Sequence, residues 1–400
     1  MSASLPRLRR VVVALALAAA LPSAIAQAPG CAPTAWPLWQ DFHRHFISAD
    51  GRVLAAQTSS RDSFSEGQAY AMFFALVAND PVTFERLWRW SLNNLVGGDL
   101  AQRLPAWHWG LASDGGWRVL DANSAADADL WFAYALLEAG RLWQRPDYIL
   151  DGRRLLKNIE RQEVVTLPGL GAMLLPGPYG FVQADGSWRL NPSYVPTPLL
   201  RRFALEAPDG PWSEIAASSA KMTISAAAPK GLIADWVGYR GGAKPGFAVD
   251  PVSGALGSYD AIRVYLWAAL TPKGDPSATP LLRALHGMAR LITTDSAPPE
   301  KVNVWTGVAS GSGPYGFSAA LLPYLSLTAS TKVVAQQAAR ARSLQGASLL
   351  PERLAKAPPV YYDHVLSLFG LGWIENRYRF LNNGQVQLKW QETCTPAKKQ

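Results

Sequence analysis

Apolar residues follow two rhythms along this chain. Some stretches repeat them every three to four residues with charge between, and others run apolar almost without interruption. Both are helical patterns, the first with one solvated face and the second buried nearly all round. Periodicity and cap residues predict about twelve helices, over 34–48, 65–78, 81–96, 124–143, 146–163, 196–207, 211–227, 257–270, 278–293, 314–327, 331–344 and 359–374. Several odd-numbered helices carry charge. The third has Glu85, Arg86 and Arg89, the fifth Asp151, Arg153, Arg154, Lys157, Glu160 and Arg161, and the eleventh Lys332, Arg340 and Arg342. The even-numbered ones read AYAMFFALVA, LWFAYALLEA, AIRVYLWAAL and FSAALLPYLS. Twelve helices alternating between outer and inner character predict an all-α fold, an (α/α)6 barrel. No repeat at the level of sequence accompanies the alternation. Strand-like material is expected mainly over 164–190, where Gly169, Gly171, Gly177 and Gly180 punctuate short apolar pieces. No Pro/Ser-rich linker divides the chain, so residues 27–400 read as a single domain.

The first residues stand apart from this pattern. Arg7, Arg9 and Arg10 precede an apolar run, Val11 to Leu21, and then Ala24-Ile25-Ala26. That is the order of an export signal, with cleavage expected after Ala26 and a mature chain from Gln27. No later stretch has the length and apolarity of a membrane span. Removing residues 1–26 takes away three Arg and no acid, so the formal charge falls from +8 to +5. The remaining Lys and Arg are dispersed, which speaks against nucleic acid as a partner. The two cysteines, Cys31 and Cys394, stand near the ends of the mature chain. In an oxidising compartment an even count suggests a disulfide, with two free thiols as the alternative. His43, His45, His108, His286 and His364 form no zinc pattern, so no metal site is expected.

The starts of the inner helices hold the chemistry. SEGQAY, NSAADADLW, RLNPSYVPTP, GSYDAIRVYLW, GPYGFS and VYYDHV would gather at one end of a barrel. They would place Glu66, Asp127, Asp129, Tyr194, Tyr259, Asp260, Arg263, Tyr315 and Asp363 around one mouth. Each acid alone has a plain reading as a helix cap, because first-turn N–H groups lack partners. Ser63 with Glu66, and Ser65 with Gln68, have capping-box spacing, and Ser124 with Asp127 is cap-like. Convergence changes the balance, because carboxylates sharing a water-poor cleft are costly. Two carboxyls, one protonated and one ionised, can cleave a glycosidic bond. Glu66 as the acid needs burial or a neighbour such as Asp127 to raise it. Asp260 suits a general base, with Arg263 one turn on to orient it. Sixteen tryptophans make the chain aromatic-rich. Trp107, Trp109, Trp117 and Trp188 are expected in loops, where a flat indole can meet a pyranose ring, whereas Trp131 and Trp267 read as core.

With these pieces in order, the chain resembles glycoside hydrolase family 8, and within it the periplasmic endo-β-1,4-glucanases of bacterial cellulose-synthesis operons. The matching stretches are SEGQAYAM, LPAWHWG, LDANSAADADLW, NPSYVPTPL, SYDAIRVYLW and GPYGFSAALLP, spread through nearly the whole mature chain. The resemblance implies an (α/α)6 barrel, an inverting hydrolase and no cofactor. It implies Glu66 as general acid, Asp260 as general base, and Asp127 as the carboxylate that binds and distorts the sugar. It further implies Tyr194 near the nucleophilic water, Arg263 beside the base and Trp107 as a stacking platform. Asp129, Trp109 and Tyr259 are expected as further substrate contacts. Ala128 stands where many members have Gly. The expected partner is a β-1,4-glucan, with a loose association with a cellulose synthase complex and a monomeric state. Chitosan, xylan or mixed-linkage glucan are alternative polymers. A polysaccharide lyase and a non-catalytic cellulose-binding accessory are the more distant alternatives.

Overall fold

In chain order the elements are α1 (Pro37–Phe46), β1 (Ser63–Phe64), α2 (Ser65–Val77), α3 (Pro81–Ser91), β2 (Ala106–Leu111), β3 (Trp117–Ser124), α4 (Ala126–Trp143), α5 (Pro146–Gln162), β4 (Val164–Leu167), β5 (Gly171–Leu174), β6 (Trp188–Leu190), α6 (Thr197–Glu206) and α7 (Trp212–Ala226). There follow β7 (Val237–Arg240), β8 (Gly246–Val249), β9 (Leu256–Gly257), α8 (Ala261–Leu270), α9 (Ala278–Ala284), α10 (Gly287–Leu291), β10 (Lys301–Asn303), β11 (Ala309–Ser310), α11 (Tyr315–Thr328), α12 (Thr331–Ser348), α13 (Pro351–Leu354), α14 (Tyr361–Ile374), β12 (Tyr378–Phe380) and β13 (Val386–Leu388). This computed structural model describes residues 31, 35–55, 62–227, 229–292 and 297–394. The export signal over 1–26 and its cleavage point lie outside the described residues.

Six helices pack in a closed ring, α2 on α4, α4 on α6, α6 on α8, α8 on α11, α11 on α14 and α14 back on α2. Outer helices lean on it, among them α3 on α2, α5 on α4, α7 on α6, α9 on α8, α12 on α11 and α1 on α14. This is the (α/α)6 barrel that the alternation predicts. The apolar runs explain the inner ring. In α2 every residue but Glu66 is buried, and in α8 all ten are. Gly370 lets α14 close on α11, since a Cβ there would run into the Ala319 carbonyl oxygen. Aromatic rings fill the axis. Trp131 packs against Tyr70, Phe73, Tyr134, Trp267 and Phe369, drawn from four inner helices.

Three expectations are corrected. Strands are not confined mainly to 164–190, because β1–β3, β7–β13 also form, each two to eight residues long. They lie in polar loops between the helices and lack the sustained alternation that marks a strand in sequence. Trp107 and Trp109 on β2, Trp117 on β3 and Trp188 on β6 are strand residues, not loop residues. The helix expected over 278–293 is broken into α9 and α10, where the Gly287 N–H donates to the Gly231 carbonyl (2.8 Å).

The end of the barrel away from the acids is closed by the β12–β13 hairpin. Tyr134 donates to the Gly384 carbonyl (2.8 Å) and Arg141 to the Val386 carbonyl (2.8 Å). Fully buried Glu138 accepts from the Val386 N–H (2.8 Å), Arg202 Nε (2.7 Å) and Arg141 Nη2 (2.5 Å). Removing one partner of such a network strands the other charge. Glu138→Ala should therefore cost about 3–5 kcal/mol, read as a fall in Tm by calorimetry; an unchanged Tm would contradict it. A disulfide joins Cys31 and Cys394, so the two ends of the described chain are covalently tied.

Candidate active site

At the opposite end, the starts of the inner helices surround a cleft of about 520 Å³. Glu66, Trp107, Asp127, Tyr194, Tyr259, Asp260 and Arg263 all line it, together with Phe64, Tyr361, Tyr362 and Asp363.

The chain enters α2 straight from β1, which pairs with β2. Phe64 occupies the cap position and no side chain caps the helix. The capping boxes are not made. Ser63 donates its hydroxyl to the Val53 carbonyl (2.5 Å) instead. Gln68 points inward, accepting from the Val53 N–H (2.5 Å) and donating to Ser91 (3.0 Å) and the Gly51 carbonyl (3.1 Å). Gly67 permits this approach, since a Cβ would press on Val53 and Tyr361. Glu66 is thus fixed by its neighbours' anchors while its own carboxyl faces the cleft. One oxygen accepts from Arg263 Nη1 (2.5 Å) and the other from the Tyr361 hydroxyl (3.3 Å). Burial pushes this carboxyl up to about 7, against the pull of Arg263 and with help from Asp127 and Asp260. That is a value suited to a general acid near neutral pH.

Arg263 organises the group. Its guanidinium, only 3% exposed, donates from Nη1 to Glu66, to Asp127 (3.1 Å) and to the Tyr70 hydroxyl (2.9 Å). Nη2 donates to Asp260 (2.6 Å). Glu66 and Asp260 therefore sit on different nitrogens of one fork. The Tyr194 and Tyr362 rings lie 5.9 and 6.0 Å from the guanidinium carbon. Asp127 is buried, accepts from the Ala128 N–H (2.8 Å), and is raised above the usual carboxylate range by burial. Ser124 does not cap this helix; its hydroxyl goes to Glu163 (2.6 Å).

Asp260 stands at the start of α8 without capping it. Its second oxygen accepts from Asn191 Nδ2 (3.0 Å). The capping is done by Asp235, which accepts from the Ser258 and Ala261 N–H groups (2.7 and 2.8 Å). Burial and the neighbouring Asp260 lift Asp235 to about 6. Asn191, Asp235, Tyr361 and Tyr362 are the residues the sequence reading passed over. Asn191 lies in RLNPSYVPTP and the tyrosine pair in VYYDHV. Asp235 caps from a distant segment, which no local spacing reveals.

Trp107 lies on the cleft wall, 37% exposed, with Phe64 stacked at 5.5 Å and 20° and Asp121 accepting from its side chain. Trp109 does not reach the cleft. It stacks on Trp117 (5.0 Å) and meets Trp90 edge-on. Residues two apart on a strand normally share a face, but the register of β2 on β3 shifts on both sides of His108. Asp129 is also not brought to the mouth; it is fully buried beside Glu163. Tyr315 packs on His364 and away from the cleft, whereas Asp363 lines it.

Comparison with known proteins agrees with this geometry. The profile of the glycosyl hydrolases of family 8 matches residues 6–376. An endoglucanase of Pseudomonas fluorescens is 48% identical over 367 residues, covering 90% of this chain and 92% of its own. An endoglucanase of Escherichia coli K12 is 42% identical over 359 residues, covering 90% and 92%. Among solved structures, an endo-1,4-D-glucanase from Vibrio fischeri matches with a TM-score of 0.83 at 43% identity, over 89% of this chain and 100% of that one. An endo-β-1,4-glucanase from Acetobacter xylinum matches with a TM-score of 0.67 at 27% identity, over 84% and 96%.

Proposed function

We infer that this chain, which belongs to the glycosyl hydrolases of family 8, is an inverting endo-β-1,4-glucanase that cuts internal bonds of cellulose. The observation that carries the reading is the single guanidinium of Arg263 joining Glu66, Asp127 and Asp260 at the floor of an aromatic-walled cleft. Glu66 gives its proton to the leaving glycosidic oxygen. Asp260 takes a proton from the water that attacks the anomeric carbon from the other face. Inversion requires about 6.5–9.5 Å between the two carboxyls, room for that water. Asp127 holds the sugar at the cleavage point, Tyr194 borders the water and Trp107 stacks on the polymer.

The experiment is a panel of purified polymers with product sizing. Carboxymethylcellulose should lose viscosity early, with cello-oligosaccharide products and no ultraviolet-absorbing unsaturated ends. Preference for chitosan, xylan or mixed-linkage glucan would move the substrate within the family; unsaturated ends would mark a lyase; binding without reducing-sugar release would mark an accessory protein. No described helix is long and apolar enough to cross a membrane. The Arg-rich, apolar N-terminus with its Ala24-Ile25-Ala26 site supports a periplasmic location. The same reading makes the protein a monomer loosely associated with a cellulose synthase complex. Cell fractionation, gel filtration and co-purification with the synthase check these three points, and a cytoplasmic, oligomeric or synthase-independent protein would overturn them.

A further inference from the structure

Beneath the cleft lies a pair of carboxyls that the chemistry above does not use. Asp129 and Glu163 are both fully buried. Glu163 Oε1 accepts from the Ser124 hydroxyl (2.6 Å), a group that also acts on Asp129, while Glu163 Oε2 meets no N–H or hydroxyl donor among the described residues. The two side chains are hydrogen-bond neighbours of each other. No described ion pair includes either, and the other charged group acting on both is the Asp127 carboxylate. Two ionised carboxylates have only acceptors to offer, so this contact closes only with a proton between them. Burial pushes Asp129 well above the usual carboxylate range, and burial lifts Glu163 to about 8.

The pair sits where three segments meet. Ser124 ends β3, Asp129 belongs to the first turn of α4 with Asp127, and Glu163 closes α5. The Glu163 carbonyl accepts from the Leu175 N–H (2.8 Å), and the Ala126 N–H donates to the Pro176 carbonyl (3.0 Å), so the turn is held from below on both sides. Ala125 and Asp127, in this turn, line the cleft.

We propose that Asp129 and Glu163 share a proton and act as a positioning pair, clamping the turn from Ser124 to Asp129 so that Asp127 stands at the correct height for the sugar. The inference rests on the role given to Asp127 above. One proton between them leaves a single negative charge in place of two, with the Ser124 hydroxyl donating to it, and no described ion pair supplies a cation for a second.

The test compares Glu163→Gln, Glu163→Met and the double variant Asp129→Asn/Glu163→Gln. In Glu163→Gln the amide oxygen can accept from Ser124 and the amide nitrogen can donate to Asp129, so kcat should stay within about threefold of the parent. Glu163→Met keeps the length but removes both bonds; kcat should fall about tenfold or more with KM little changed, the expected mark of a displaced group. Infrared spectra at about pH 7, where the other carboxyls contribute alike to both proteins, should show a protonated-carboxyl band in the parent that is weaker in the double variant. This readout does not depend on Glu163→Met folding. Identical spectra would overturn the shared proton. Glu163→Gln as impaired as Glu163→Met, or Glu163→Met as active as the parent, would overturn the positioning role. Asp127→Asn serves as control: full activity there would sink the role of Asp127 while leaving the infrared result intact.

Discussion

Glu66→Gln lowers kcat on soluble cellulose by about 10²–10⁴-fold, with Tm and cello-oligosaccharide affinity close to the parent. The amide keeps the volume and can still accept from Arg263, but it has no proton for the leaving oxygen. The pH profile carries the same signature. Burial holds the Glu66 carboxyl up to about 7, so the active, protonated form dominates below that value and declines tenfold per pH unit well above it. In the parent kcat/KM should therefore fall as pH rises through about 7, and this alkaline limb should vanish in Glu66→Gln. Full activity in the variant, or an unchanged limb, would remove Glu66 from the role of acid.

Asp260→Ala should cost a comparable factor, about 10²–10⁴-fold in kcat, and its residual chemistry is diagnostic. The truncation opens space beside Asn191 and Arg263, the two groups that hold the carboxylate. Added azide can enter there and attack the anomeric carbon in place of water, needing no base. The glycosidic bond breaks, Glu66 protonates the departing oxygen, and the product is an α-glycosyl azide. Recovery of that product by NMR supports Asp260 as base on the face opposite the acid. A β-azide, or no recovery with an intact fold, would place the base elsewhere.

Much of the barrel was legible in the chain because burial on all sides leaves a simple mark. The runs in α2, α4, α8, α11 and α14 are apolar on every face, and only a helix enclosed by others can use that. The small sheets left no such mark; they are short and lie in polar loops. The cleft acids were legible because they open inner helices, although the capping spacing around Glu66 pointed to the wrong partners. Ser63 and Gln68 turn to Val53, Gly51 and Ser91, contacts made by tertiary packing that no local window contains. Trp109 was misplaced by one irregularity at His108, since the two-residue rhythm of a strand fails across a bulge. Asp129 shares a motif with Asp127 but faces Glu163, a residue 34 positions along whose approach depends on how α5 docks. Asp235 was invisible for the same reason: it caps α8 from outside the helix.

The two-carboxylate assignment is tested most directly by a crystal structure of Glu66→Gln with a bound cellohexaose spanning the cleft. The side chain at position 66 should lie within hydrogen-bond distance of one glycosidic oxygen, with the sugar on Trp107 and its hydroxyls at Asp127. A water should sit between Asp260 and the anomeric carbon, on the face opposite the leaving oxygen. A scissile bond closer to Asp260 than to position 66, or carboxyl positions only about 5 Å apart with no room for water, would contradict it.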